Sequence, residues 1–282
     1  MTNLTFSLAL FAIAYFAGFI GALTGLGGGV IIVPSLVLLF NIDFKLAMGA
    51  SLISVIATSS GAALTFLQNN FTNMKLGMFL EIGAISGAIV GALLVKFVPI
   101  SIISIIFGMV LLFSSWFSIA RREEIESAQS SHPWTKRLSL DGTYPTSHGL
   151  KTYPVLRVPL GFSLMTLAGL LSGLLGIGSG ALKVLSLDLA MGLPYKVSAS
   201  TSNFMIGMTA AASAGIYFSS GYINPEICFP VLLGVLLGAI VGSKVLIYEK
   251  PRRLRMIFVF IIFLLALQMI YNGILGIYEN SF

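Results

Sequence analysis

Read as runs of apolar and polar positions, the chain consists mainly of long continuous apolar stretches with little period-two alternation. A helix needs roughly 20 apolar residues to cross the hydrocarbon of a bilayer. Stretches near that length are Leu4–Leu23, Lys45–Leu67, Met74–Val98 and Ile100–Ala120, then Val158–Leu175, Lys196–Ser219, Pro225–Ile247 and Leu254–Tyr278. Two further segments, Val30–Phe40 and Ala181–Met191, are apolar but span only about 16 Å as helices, half a membrane. Each follows a glycine cluster, Gly25-Leu26-Gly27-Gly28-Gly29 in one case and Gly176-Ile177-Gly178-Ser179-Gly180 in the other. The missing dyad pattern excludes an outer-membrane barrel. The pattern predicts an all-α integral membrane protein.

The two halves repeat. Gly176 lies 151 residues after Gly25, and the same offset then holds without a gap. Phe44-Lys45 falls on Tyr195-Lys196, Ser51 on Ser202, Thr58 on Thr209, Asn73 on Asn224 and Gly83 on Gly234. The register ends with Gly87-Ala88-Ile89-Val90-Gly91 on Gly238-Ala239-Ile240-Val241-Gly242. Internal repeats of this size mark transporter folds. The expected organisation is one membrane transport domain over residues 1–282, with repeat one at 4–120, a linker at 121–157 and repeat two at 158–278. Each repeat would hold one glycine-tipped short-helix hairpin and three transmembrane helices.

Composition sharpens the class. Hydrophobic residues make up 57% of the chain and charged residues 9%, against about a quarter charged in a soluble domain. The solvent for most of this chain is therefore lipid. The net charge of +6 does not point to nucleic acid, because the basic residues cluster in short loops beside apolar spans. The linker carries Arg121, Arg122, Glu123, Glu124, Glu126, Lys136, Arg137, Asp141, Lys151 and Arg157, with His132, His148, Pro133, Pro145 and Pro154. It reads as a solvated connector. Neither histidine has metal-ligand spacing, and Cys228, the one cysteine, sits among apolar neighbours. No metal or cofactor is expected.

Charge also orients the chain. Lys250, Arg252, Arg253 and Arg255 mark their loop as cytoplasmic. The linker obeys the same rule if each short helix returns to its own side, giving an odd number of crossings per half. The repeats are then inverted and both termini extracytoplasmic.

Inversion would bring the glycine tips toward the midplane from opposite faces. A helix N-terminus leaves amides unpaired and carries about half a positive charge. Glycine leaves those amides uncovered and permits an anion-cupping nest. Gly27, Gly28, Gly29, Gly178, Ser179 and Gly180 are therefore candidate anion donors; the alternative is that they only permit close helix packing. For Gly83, Gly87, Gly91 and their counterparts, packing is the better account. Lys183 lies three residues past Gly180, and its counterpart is Ile32. A charge that deep costs several kcal/mol unless paired or hydrated. It is either functional, snorkelling, or paired with Asp188. Ser51, Ser202 and Asn203 are candidate anion ligands. Glu81 and Asp188, the buried-looking acids, are candidates to carry a coupling proton. Lys45 and Lys196 read as interfacial anchors.

These residues resemble a known family. The doubled glycine clusters, Pro34 within Val33-Pro34-Ser35-Leu36, and the Lys196-Val197-Ser198-Ala199-Ser200-Thr201-Ser202-Asn203 stretch are similar to those of the TauE/SafE-type sulfite exporters, also called the TSUP family. The resemblance covers both halves and leaves out the linker. It implies a permease of a bacterial-type inner membrane for sulfite, thiosulfate, sulfonates or related organic anions. In the second half Leu185 replaces the counterpart of Pro34, so the site need not be symmetric. The expected function is secondary transport of a small anion by alternating access, coupled to a proton or a sodium ion, with oligomerisation left open. The alternatives are a passive anion channel and an accessory membrane subunit. An enzyme is disfavoured, because no His-Glu-x-x-His, Asp-Asp, Ser/Lys or Ser/His arrangement falls in the spans, and ATP-driven pumping is disfavoured, because no Gly-x-x-x-x-Gly-Lys-Ser/Thr motif occurs.

Overall fold

The structure is a computed structural model that describes residues 3–119, 135, 140–146, 149–178, 180–248 and 252–279. In the first half, α1 (Asn3–Thr24) leads through the first glycine tip into the short α2 (Gly29–Phe40). Then come α3 (Phe44–Gln68), α4 (Met74–Leu94) and α5 (Ile100–Ile119). In the second half, α6 (Val158–Leu175) leads through the second tip into α7 (Gly180–Leu185), followed by α8 (Tyr195–Ser219), α9 (Pro225–Tyr248) and α10 (Arg252–Glu279). Side-chain caps set several of these starts. Asp43 accepts from the amides of Lys45 and Leu46 at α3, and the Asn73 side chain accepts from Leu76 at α4. The α2 helix stops at Asn41, in the left-handed conformation, whose amide returns to the Leu36 carbonyl.

The second short helix differs from the single Ala181–Met191 helix expected. The α7 helix ends at Leu185, and Ser186–Ala190 form a π turn closed by the Met191 amide on the Ser186 carbonyl at 3.0 Å. One extra residue per turn there swings the following side chains off the α7 face.

Among the described residues, five helices (α1, α3, α4, α6 and α9) are long and apolar enough to cross a bilayer by length and composition. Among the described residues α5 and α10 offer shorter apolar stretches. The 25-residue α8 is the polar exception. Its Ser198, Ser200, Thr201, Ser202, Asn203, Thr209 and Ser213 are all fully buried. The protein interior and not lipid receives that face.

Glycine decides how the helices meet. On α4, Gly83 faces Phe162 and Thr166 of α6, Gly87 faces Thr166 and Leu170, and Gly91 faces Leu170 and Leu174. A Cβ at Gly87 would collide with the Thr166 carbonyl oxygen. The same contacts recur 151 residues on: Gly234 faces Phe11 and Tyr15 of α1, Gly238 faces Tyr15 and Phe19, and Gly242 faces Phe19. Such backbone approach makes dispersion the adhesive where lipid removes the hydrophobic drive.

The order of these contacts gives helix directions. Partners on α4 and α6 advance together, so the two run parallel, and α1 and α9 do likewise. The α3 helix runs with α9, through Gly61 at Leu236 and Thr65 at Ser243. The α4 helix runs with α8, through Asn73 at Thr201 and Glu81 at Thr209. The α3 and α8 helices run oppositely, since Met48 meets Tyr217 while Ser59 meets Asn203. Hence α1, α3 and α9 point one way, and α4, α6 and α8 the other. The α5 and α10 helices are also antiparallel: Gly108 meets Ile270 and Gly273 meets Ile105.

The linker is more than a solvated connector. Strands β1 (Gly142–Thr146) and β2 (Gly149–Tyr153) form an antiparallel hairpin. Leu140, Tyr144, Tyr153 and Val155 are buried in a cluster with Phe71, Leu76 and Leu80 of the first half and Met191, Val197 and Met205 of the second. Asn73 anchors the hairpin, its side-chain amide donating to the Leu140 carbonyl at 2.9 Å and the Tyr153 hydroxyl at 3.1 Å. Burial pushes the Tyr153 phenol up to about 12, so it stays neutral. His132, His148 and the linker charges from Arg121 through Arg137 lie outside the described residues.

Candidate functional site

The two glycine tips adopt one backbone pattern. Gly25 and Gly27 have φ of +73° and +79°, and Gly176 and Gly178 have +66° and +72°. Only glycine takes these alternating left-handed values without strain, which explains the spacing in both clusters. The tips touch. A Cβ at Gly180 would lie 2.6 Å from the Leu26 carbonyl, and one at Gly29 would lie 3.3 Å from the Ile177 Cα. Val55 and Ile206, counterparts in the repeat, each pack against both Gly27 and Gly178. Every described residue from Gly21 to Val30 is buried, so in this conformation the meeting point is closed.

Polar groups around the tips divide into two sets. Ser202 donates to the carbonyls of Gly25, at 3.0 Å, and Gly180, at 3.3 Å, bridging one tip to the other. Asn203 donates to the carbonyls of Ala22 and Ala199. These donors hold the tips together here. The Gly28 amide donates to Thr58 Oγ1 at 3.3 Å. Ser51 is different: it is fully buried, it stands against Gly29 at the start of α2, and its hydroxyl has no hydrogen-bond partner. The Asn203 Oδ1 and the Ser172 hydroxyl are likewise buried without one. A buried polar group left unpaired costs about 1–3 kcal/mol. Ser179 lies outside the described residues.

One turn past the second tip, Lys183 is fully buried. Its partner is not Asp188. The ammonium Nζ lies 3.2 Å from Glu81 Oε2, across 102 residues of sequence, with the two side chains 0% and 3% exposed. Thr209 completes a closed ring: Lys183 donates to its hydroxyl, and that hydroxyl donates to Glu81 Oε1. Asp188 sits half-buried in the π turn, facing elsewhere in the helix order. The carboxylate that acts on the Lys183 ammonium is that of Glu81. The sequence points to Lys183 and Glu81 separately and does not single out Thr209. The match of Thr58 with Thr209 in the repeat was the one signal for it.

Lys45 and Lys196, counterparts in the repeat, also have matched surroundings. Lys45 Nζ lies 5.3 Å from the Tyr222 ring centroid, and Lys196 Nζ lies 5.8 Å from that of Phe71.

A buried ion pair stands near two converging helix breaks, in a bundle that includes helices long and apolar enough to cross a bilayer. Comparison with known proteins gives the family. The family model described as Sulfite exporter TauE/SafE matches residues 10–269. The chain belongs to the TauE/SafE family. It is thus a multi-pass membrane transporter. YunE of Bacillus subtilis (strain 168), named a probable membrane transporter protein, is 27% identical over 272 residues, covering 94% of this chain and 97% of its own. YdhB of the same organism, similarly named, is 29% identical over 242 residues, covering 84% and 87%. A "Sulfite exporter TauE/SafE family protein 5" of Arabidopsis thaliana is 39% identical over 85 residues, or 28% of this chain and 18% of that one. No solved structure matches the chain.

Proposed function

We propose that this protein is a secondary transporter for a small sulfur-containing or organic anion, such as sulfite, thiosulfate or a sulfonate. It works by alternating access between two inverted repeats. The single observation that carries the reading is the meeting of two left-handed glycine tips beside the buried Lys183 ammonium. The amides at Gly27–Gly29 and Gly178–Gly180, the unpartnered Ser51 hydroxyl and Lys183 form the anion contacts once the tips part. Ser202 and Asn203 brace the tips in the closed state and turn to the substrate on opening. The opposed directions of α1 and α6, α3 and α8, and α4 and α9 support the inverted arrangement. So does the recurrence of contacts at the offset of 151. A multi-pass protein of this charge pattern belongs in the plasma membrane, with the linker on the cytoplasmic side and the termini outside.

The test is uptake of radiolabelled sulfite, thiosulfate and sulfoacetate into proteoliposomes of purified protein. Saturable flux stimulated by substrate on the far side is expected. Saturable, wild-type-like flux in both G178L and K183A overturns the site. Non-saturating flux without trans-stimulation replaces the carrier by a channel. Absence of flux from the purified protein favours an accessory role.

A further inference from the structure

The Lys183–Glu81–Thr209 ring is not something this fold needs. The counterpart positions in the other half are Ile32, Leu232 and Thr58; Ile32 is buried in the main apolar core and the half-buried Leu232 packs against it. The same helices are therefore held there without any charge. Desolvating two ions costs several kcal/mol each, and an apolar replacement of similar volume is often neutral or stabilising. One half of the molecule contains that replacement.

The ring as it stands is electrically neutral. A substrate anion that took Lys183 for itself would leave a net negative charge in a water-poor interior, because Glu81 would lose its partner. A proton on the Glu81 carboxylate removes that charge. Thr209 is built to accommodate the change. Besides Glu81, its hydroxyl has a second acceptor, the Met205 carbonyl at 3.2 Å. Turning there frees its oxygen to accept from a protonated Glu81. Thr58 already holds that arrangement in the other half, donating to the Ser54 carbonyl at 2.8 Å while its oxygen accepts from Gly28.

Other ionisable groups on the packed elements stand apart from the ring. Lys75 near the start of α4 and Arg157 before α6 are exposed. Asp188 in the π turn, and Tyr195 and Lys196 at the start of α8, are half-buried. Tyr217, two turns beyond Thr209 on α8, donates to the Gly173 carbonyl at 3.0 Å. The carboxylate in contact with Lys183 is Glu81.

Resting on the anion-carrier reading above, we infer that Lys183 is shared between Glu81 and the substrate. Each anion that binds Lys183 does so with uptake of one proton from water onto Glu81, and the two travel together. The carrier is then an anion–proton cotransporter whose proton site is also the competitor for its anion site.

The experiment is proton uptake on binding, read with a pH indicator in weakly buffered nanodiscs between about pH 6 and 8. The probes are methanesulfonate, thiosulfate and sulfoacetate, which stay ionised throughout that range and so contribute no proton of their own. The expected result is one proton taken up per anion bound, with affinity rising about tenfold per unit of acidification. Saturable binding without proton uptake overturns the inference and leaves the anion reading standing. No saturable binding of any of the three probes overturns that reading and the inference with it. E81Q is expected to bind anion without proton uptake and with affinity independent of pH; uptake equal to wild type in E81Q overturns the assignment to Glu81. If E81Q does not accumulate, E81D decides. Its uptake persists with a displaced pH midpoint, and an unmoved midpoint overturns the assignment.

Discussion

Two places in the molecule occupy equivalent positions in the repeat and are built oppositely. Around Thr209 stand Lys183 and Glu81, buried and ion-paired; the repeat counterparts that go with Thr58 are Ile32, buried in the apolar core, and Leu232, half-buried against it. Each threonine bonds a carbonyl four residues back on its own helix, Ser54 for Thr58 and Met205 for Thr209. The charges differ, and so does the short helix, which runs unbroken as α2 but gives way to the π turn after α7. The glycine contacts recur in both halves, while the buried ion pair occurs in one of them.

The largest effect should fall on the shared scaffold and fall equally. Gly87→Leu and Gly238→Leu each drive a side chain into the backbone of the facing helix, at Thr166 and Tyr15 respectively. Neither variant should yield monodisperse protein on size exclusion in detergent. A well-folded Gly238→Leu beside an unfolded Gly87→Leu would break the equivalence.

Next come the charged and apolar members. Lys183→Met strands a buried carboxylate, so a loss of about 3–5 kcal/mol is expected. Ile32→Met conserves volume and should cost less than about 1.5 kcal/mol. Denaturant unfolding in micelles measures both. The double variant K183M/E81L should recover most of the lost stability but not transport. Recovery of saturable anion flux as well would show the ring to be structural.

Smaller differences are expected from the threonines. Thr209→Val removes a hydroxyl bonded to two charged groups, worth about 1.5–3 kcal/mol for a bond of that kind. Thr58→Val leaves the buried Gly28 amide without its acceptor, a loss of about 1–3 kcal/mol, expected toward the lower end because no charged group is involved. A larger loss at Thr58 than at Thr209 would reverse the ranking. The smallest effects belong to the ring-facing lysines. Lys45→Gln and Lys196→Gln should each cost under about 1 kcal/mol, as partly exposed cation–π contacts do. Thermal melting should separate neither from wild type by more than a few degrees.

Much of this was legible before folding because it is local. Glycine at Gly25, Gly27, Gly176 and Gly178 announces a broken helix, and the backbone there has positive φ. The spacing of Gly83, Gly87 and Gly91 by four gives one small-residue face, and that face meets α6. The hairpin in the linker left a weaker trace. Thr143-Tyr144 and Thr152-Tyr153 are strand-forming pairs, yet prolines and charges around them masked the pattern. What fixes those strands is non-local, the Asn73 side chain and the Tyr153 burial.

The ion pair shows where local reasoning stops. Sequence alone established that Lys183 sits in an apolar run where a charge needs a partner, and it named Glu81 and Asp188 as acids of the right kind. Proximity along the chain favoured Asp188. The tertiary structure chose Glu81 because α4 and α8 run side by side and bring Glu81 and Thr209 together against Lys183. Hydrophobicity and backbone freedom are properties of single residues and short windows, so the sequence determines membrane insertion and helix breaks by itself. Partnership between buried charges depends on which helix faces meet, and only the packed bundle decides that.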